Sequence, residues 1–414
     1  MRTFLIVTIL FCLSATVLSQ AKSPFLRQIG IPDSIHSSVL DEHRRFYVQL
    51  PDGYRSNNEK NYPVIYVLDG EVLLPAVANV HNFYNGGFLP ESVIIGVSND
   101  RNRLRDLTVS EVTSMWGRPI ERENGQADQF LEFIRTELIP YVESKYPVTE
   151  YRTLIGHSHG GSFTLNALLK DQNTFRNYLV IDPSVEWDDL SILKAFQKRA
   201  TEISFEGKTL YLTMSGQLHM ADPSITLENL MNDSTHFTQF SRAILRFKEE
   251  LEKNPSGIVF EWKFYPMDLH GTIPLPSIMD GLISIYSWYQ MENTYKINDS
   301  GTPKETLYAI VRHRENKLKE KFGYFEPPYP ADLLNMSGYM NMDMQQFEKA
   351  KMYLDFAIEY YPRNANSYDS MADYYDRLND LNTALIYVKK AFDLSGGNYH
   401  KHRMKILSER ISKK

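Results

Sequence analysis

Between residues 40 and 290, short apolar runs alternate with amphipathic stretches, and this alternation narrows the choice of fold more than any other feature. "RRFYVQLP" (44–51) exchanges apolar and polar residues one by one, as a half-buried strand does. "YPVIYVLDG" (62–70), "SVIIGVSND" (92–100), "YRTLIGHS" (151–158), "NYLVIDPS" (177–184) and "KTLYLTMSG" (208–216) are nearly continuous apolar runs that end in glycine or polar residues. Strands covered on both faces of a mostly parallel sheet read this way. "VFEWKFYPM" (259–267) extends the series. Between the runs, "ADQFLEFIRTELIPYVESKY" (127–146) sets Phe130, Phe133, Ile134 and Leu138 at three- and four-residue spacing, an apolar helical stripe. "STHFTQFSRAILRFKEELEK" (234–253) behaves similarly. The pattern predicts an α/β fold: a mostly parallel central sheet flanked by helices, with its ligand site at the carboxyl ends of the strands.

At 414 residues the chain exceeds one typical domain. The polar stretch "INDSGTPKE" (297–305) and the proline-rich "YFEPPYPAD" (324–332) interrupt it, after which the composition turns helical and rich in tyrosine. Residues 331–364 placed above 365–398 give a period of 34. Gly338 falls on Ala372, Ala350 on Ala384, Ala357 on Ala391 and Leu354 on Val388, and Pro362 closes the first unit. This resembles the tetratricopeptide repeat, two antiparallel helices packed through small residues. Two units are fewer than usually stand alone, so they should lean on the preceding domain or on the helical segment 305–322. The expected organisation is a signal peptide at 1–19, a sheet domain at 20–296, a linker and connecting helix at 297–330, and helical repeats at 331–414.

The N-terminus "MRTFLIVTILFCLSATVLSQAKS" places one arginine before a short apolar run and then small residues, the layout of a secretory leader cleaved near Ser19. This predicts a periplasmic or secreted protein. The single cysteine, Cys12, would leave with the leader, which removes disulfides, cysteine-ligated zinc and thiol catalysis from consideration. No later segment is long and apolar enough to span a membrane. A formal net charge of −6 with interspersed signs argues against a nucleic-acid partner.

Gly156-His157-Ser158-His159-Gly160 fits the G-x-S-x-G pattern, and it lies where an apolar run meets a helical stretch. Such a turn holds a serine in a strained conformation and needs small neighbours, which makes Ser158 a candidate nucleophile. Its base should follow in sequence, and His270 in "YPMDLHGTIPLP" comes just after the last strand. His157 and His159 flank the serine but point away from its hydroxyl. The backbone N–H of His159 is one candidate oxyanion donor, and that of Glu71, beyond Gly70, is the other. Asp69 is a candidate for substrate hydroxyls or only caps its turn. The acid orienting His270 is expected after "LYLTMSG", where Asp222 is the nearest carboxylate. Glu228 and Asp233 remain open, as do Asp182 in "VIDPS" and a serine–histidine dyad. No carboxylate or third histidine accompanies the histidine pair at a metal-binding spacing, so neither metal nor cofactor is expected.

Together "YPVIYVLDG", "VIIGVSNDRNRLRDLT", "FIRTELIPYVESKY", "RTLIGHSHGG" and "MDLHGTIPLP" resemble the putative-esterase branch of the α/β-hydrolases from about Arg44 to Tyr289. That branch includes enterochelin esterases, S-formylglutathione hydrolases, feruloyl and acetylxylan esterases and mycolyltransferases. The resemblance implies a serine hydrolase working through an acyl-enzyme on a small ester of a sugar, phenolic or siderophore type. It also places Arg103 or Arg105 near substrate, in a loop that either binds it or is merely held in place. His159 departs from the phenylalanine or methionine frequent there. Two other readings stay open: an inactive scaffold that binds a protein partner through its repeats, and an acyltransferase using the same residues.

Overall fold

The structure, a computed structural model, describes residues 28–413 apart from 53, 55–59, 116 and 220–221; the expected leader and Cys12 lie outside these. The chain forms two compact units, one comprising residues through Asn85 together with Glu91–Ile285, the other Gly86–Pro90 together with Tyr286–Lys414.

The first unit is built on a sheet of β1 (Ile31–Ser37), β2 (Glu42–Gln49), β3 (Tyr62–Val67), β4 (Val93–Val97), β5 (Val148–His157), β6 (Asn177–Ile181), β7 (Thr209–Ser215) and β8 (Val259–Tyr265). They lie in the order β1-β2-β4-β3-β5-β6-β7-β8. β1–β2 and β2–β4 pair antiparallel, and the rest are parallel. The runs read as doubly covered strands are buried along their length, as Tyr62–Val67, Val93–Val97 and Asn177–Ile181 show. β8 alternates exposed and half-buried residues because it is an edge strand with a neighbour on one side only.

Helices cover both faces: α1 (Gly70–Tyr84), the helical stretch 127–145 (α2), α3 (His159–Lys170), α4 (Trp187–Arg199), α5 (Gln239–Lys253) and α6 (Pro274–Ile285). The stripe read from the sequence is the buried face of α2, where Phe130, Phe133, Ile134 and Leu138 are all fully buried. Each such side chain contributes roughly 1.5–3 kcal/mol by leaving water. α3 is buried from Gly160 to Leu169, because it follows the central strand β5. Its helix start, and with it Ser158, is therefore held between packed layers.

The second unit contains α7 (Lys304–Phe322), α8 (Ala331–Asp343), α9 (Phe347–Tyr360), α10 (Ala365–Arg377), α11 (Leu381–Ser395) and α12 (Asn398–Ser412). α8 and α9 recur as α10 and α11 at the 34-residue offset seen in the sequence. The small residues explain the spacing: a Cβ on Gly338 would come within 2.6 Å of Leu354, and Ala350, Ala357, Ala372 and Ala384 are fully buried. Ion pairs repeat the same offset, Arg377 with Asp343 and Arg410 with Asp376, so α12 sits against α10 as α10 sits against α8. The boundary differs from the expected one. Leu307 and Val311 of α7 share a core with Tyr329, Leu334, Tyr353 and Phe356, so the segment read as a connector belongs to the helical unit. Prolines broke the sequence pattern there without breaking the packing. Among the described residues no helix is long and apolar enough to cross a membrane.

Candidate active site

Ser158 sits between β5 and α3 with φ 60° and ψ −120°, a sparsely populated conformation for a residue with a side chain. Holding it there costs on the order of 1–3 kcal/mol, offset by the surrounding packing. Its N–H donates to the Ile181 carbonyl at 3.0 Å, and its own carbonyl accepts from the N–H groups of Ser162 and Ser184, each at 3.1 Å. The turn is tight enough to require glycine at 156, where a Cβ would fall 2.1 Å from the Gly160 carbonyl oxygen. The N–H groups of His159 and Gly160 open α3 without a preceding helical carbonyl to bind, which leaves them as donors beside the hydroxyl.

His270 lies in the loop after β8. Its Nδ1 donates to Asp182 Oδ2 at 2.7 Å, and its main-chain N–H donates to Gln217 Oε1 at 3.1 Å. The loop is tied down at Gly216, whose N–H donates to the Asp268 carbonyl at 2.9 Å. A Cβ on Gly216 would strike the Pro266 carbonyl oxygen at 2.1 Å. His157 donates from Nε2 to the His270 carbonyl at 2.9 Å, with the two rings 4.6 Å apart. His157 therefore positions the base loop, a role its place in the motif did not reveal. With Nδ1 engaged, the free ring nitrogen of His270 is Nε2.

The acid differs from the one favoured in the sequence. Asp222 is exposed on the loop beyond β7, where its carboxylate accepts from the N–H and hydroxyl of Ser224 at 2.9 and 2.7 Å. Asp233 makes the same kind of local turn with Thr235, and Glu228 is exposed. Asp182, at the end of β6, is fully buried and takes the partner role. Its second oxygen, Oδ1, accepts from the Ser215 N–H at 2.9 Å, which fixes the carboxylate plane. The reason is sheet order: β6 lies directly beside β5, so its carboxyl end emerges next to the serine turn.

Ser158, His159, Ser184, Glu186, Ser215, Gln217 and His270 line one cavity of about 680 Å³. Met115, Arg118, His236, Phe237 and Phe240 complete its outer wall. The Ser158 hydroxyl rests 3.3 Å from that of Ser184, and the His270 side chain lines the same cavity.

Asp69 and Arg103, each open between substrate contact and a structural role in its turn or loop, are bound to each other. Arg103 donates from Nε and Nη2 to the two Asp69 oxygens at 2.8 and 2.9 Å, and also reaches the His157 carbonyl at 3.3 Å. Neither lines the cavity. Arg105 is drawn into an ion network with Glu42 and Asp106, whose other oxygen meets the buried Arg44 at 2.7 Å. Asn99 joins Asp106 to the main chain of Asp69, so this network braces the turn before α1. Arg105 and then Arg44 hold Glu42 down to about 2 against its burial. Glu71 stands in the first turn of α1, where its N–H has no earlier helical carbonyl to bind.

Burial depresses two histidines: His157 to about 4, with His270 adding to the effect, and His159 to about 3, with Arg103 adding to it. Both are neutral in the folded state and protonate more readily once unfolded. The stability they confer is present above their unfolded value of 6.5 and is lost as pH falls toward about 4 and about 3. At pH 4 the loss from His159 is on the order of 3 kcal/mol. His159→Phe should therefore flatten the fall in melting temperature between about pH 6.5 and pH 4 followed by circular dichroism; an unaltered slope would contradict this account.

Residues 37–208 match the family model described as putative esterase. The chain is 30% identical over 173 residues to ferri-bacillibactin esterase BesA of Bacillus subtilis, covering 38% of this chain and 60% of that protein. It is 32% identical over 152 residues to the siderophore triacetylfusarinine C esterase of Aspergillus fumigatus, covering 32% and 49%. The chain thus spans about half to three-fifths of the length of these curated relatives. A solved IroE-like serine hydrolase from Shewanella oneidensis superposes with a TM-score of 0.64 at 26% identity, over 80% of this chain and 99% of that one. Residues 37–208 are thus similar to a putative esterase, and the first unit has the α/β-hydrolase fold. In that fold Ser158, His270 and Asp182 follow β5, β8 and β6 respectively.

Proposed function

We propose that the chain is an exported serine carboxylic-ester hydrolase that opens ester-linked siderophores through an acyl-enzyme. The observation that carries the chemistry is the pairing of the buried Asp182 with His270, which shares one cavity with the strained Ser158 turn. In this reading His270 Nε2 takes the Ser158 proton as the hydroxyl attacks the ester carbonyl, and then passes it to the departing alcohol. Asp182 holds the imidazole in the Nδ1–H tautomer and stabilises its positive charge. The N–H groups of His159 and Glu71 receive the oxyanion. Water then repeats the sequence to free the acid.

The siderophore class is supported by the two relatives named for such esters. Export is supported by the N-terminal apolar run. The test is to incubate purified protein separately with ferri-bacillibactin, triacetylfusarinine C, an acetylated xylan oligomer and a feruloyl sugar ester, and to follow products by mass spectrometry. Siderophore cleavage should exceed the others by about tenfold or more in kcat/KM. Preferential cleavage of the sugar or phenolic ester would overturn the substrate class, and inertness toward all four would overturn the esterase reading.

A further inference from the structure

The cavity lining contains a buried carboxyl group that the reaction does not use. Glu186 is 4% exposed, lines the same cavity as Ser158, and its Oε2 has no hydrogen-bond partner among the described residues. A buried, unpaired acceptor costs free energy unless a ligand satisfies it or the group carries a proton and donates. Around it stand Asp182 at the end of β6 and His159 at the start of α3, with His270, His236 and Arg118 on the shared cavity wall. No ion pair reaches Glu186 among the described residues, and His159 is neutral. Burial pushes the Glu186 carboxyl up to about 8, against a hydrogen bond from its own main-chain N–H and with a smaller contribution from the Asp182 charge. At neutral pH it therefore presents an O–H.

The backbone holds this group in place at a cost. Asp188, Asp189 and Leu190 are three consecutive residues in left-handed conformation, with φ of 48°, 49° and 65°. Each costs roughly 1–2 kcal/mol, so the turn persists because its surroundings fix it. Trp187, between that turn and Glu186, donates from its indole to the Ser110 carbonyl at 3.0 Å and meets the His159 ring edge-on at 5.2 Å. The cavity lining is also uneven: Ser184 and Glu186 are buried, while His236, Phe237 and Arg118 are exposed. The alcohol of an ester leaves while the acyl group is still bonded to serine, which suits the alcohol to the exposed residues and the acyl group to the buried ones.

We propose that Glu186 is a specificity-determining residue that donates a hydrogen bond, as a neutral carboxylic acid, to an uncharged oxygen acceptor in the acyl half of the substrate. The inference rests on the esterase reading above. It predicts that the site favours acyl groups bearing an ether, hydroxyl or amide oxygen near the ester over aliphatic ones of the same length, and that the preference fades in alkali as the donor is lost.

Two probes isolate it, p-nitrophenyl methoxyacetate and p-nitrophenyl butyrate, which differ by one oxygen in place of a methylene. The readout is the ratio of their kcat/KM values, taken on one preparation so that altered folding or nucleophilicity cancels. Relative to wild type, Glu186→Leu should lower the ratio about three- to tenfold. Glu186→Gln, which keeps a donor but cannot ionise, should hold it within about twofold. Between about pH 6 and pH 9.5 the wild-type ratio should fall across the upper half of the range, and the Glu186→Gln ratio should stay level. A ratio unmoved in Glu186→Leu, lost equally in Glu186→Gln, or flat with pH in the wild type overturns the inference while leaving the esterase reading intact. Wild-type inertness toward both esters overturns both.

Discussion

Ser158→Ala is expected to lower kcat/KM toward any cleaved ester by about ten-thousandfold or more, and to abolish covalent labelling by a fluorophosphonate. The alcohol is the only atom in the proposed reaction that forms a bond to the acyl carbon, and no other group in the cavity reproduces its position at the start of α3. Ser184 is the one hydroxyl close by, at 3.3 Å, and it makes a useful control. It follows β6 and not β5, so it lacks the helix-opening N–H groups beside it and does not replace the nucleophile. Ser184→Ala should therefore retain labelling at residue 158, as peptide mapping would show. Labelling that persists in Ser158→Ala, or moves to Ser184, would refute the assignment of the nucleophile.

The second large effect falls on Asp182. Asp182→Asn should reduce kcat/KM by about a thousandfold to ten-thousandfold at neutral pH, with little change in KM. An amide in this buried place turns an N–H toward His270 Nδ1 or leaves it unpaired, and either outcome favours the tautomer that carries its proton on the nitrogen facing the serine. The substitution also removes the negative charge that stabilises the imidazolium during attack. Asp222→Asn, by contrast, disturbs an exposed Asx turn with Ser224 and should leave activity within about twofold. A large loss in Asp222→Asn with little in Asp182→Asn would restore the acid expected after β7. Circular dichroism of both variants separates this from misfolding.

Several parts of the site could be read from residue types and spacing. The serine turn and the histidine after the last strand are local: a strained turn needs glycine at 156, and a loop histidine follows a recognisable apolar run. The acid is not local. The four candidate carboxylates, Asp182 after β6 and Asp222, Glu228 and Asp233 after β7, look alike along the chain, and the one that counts is chosen by which strand lies beside β5. Arg103 stayed open between substrate contact and holding its loop for a related reason. An arginine in a loop near a site has the same composition whether it faces substrate or an internal carboxylate, and here Asp69 claims it through two hydrogen bonds. Glu186 carried no signal at all, since burial and the absence of a partner are properties of the folded state.

The alternation of apolar runs and helical stripes, the G-x-S-x-G turn and the 34-residue period were determined by sequence alone, because each depends on neighbours within a few turns or strands of the chain. The pairing of Asp182 with His270 across 88 residues, the withdrawal of Arg103 onto Asp69, and the joining of α7 to the helical unit were decided only by tertiary structure. Periodicity fixes which face of an element is buried, whereas strand order fixes which distant groups share that buried space, and strand order is set by the competition of all packing surfaces at once.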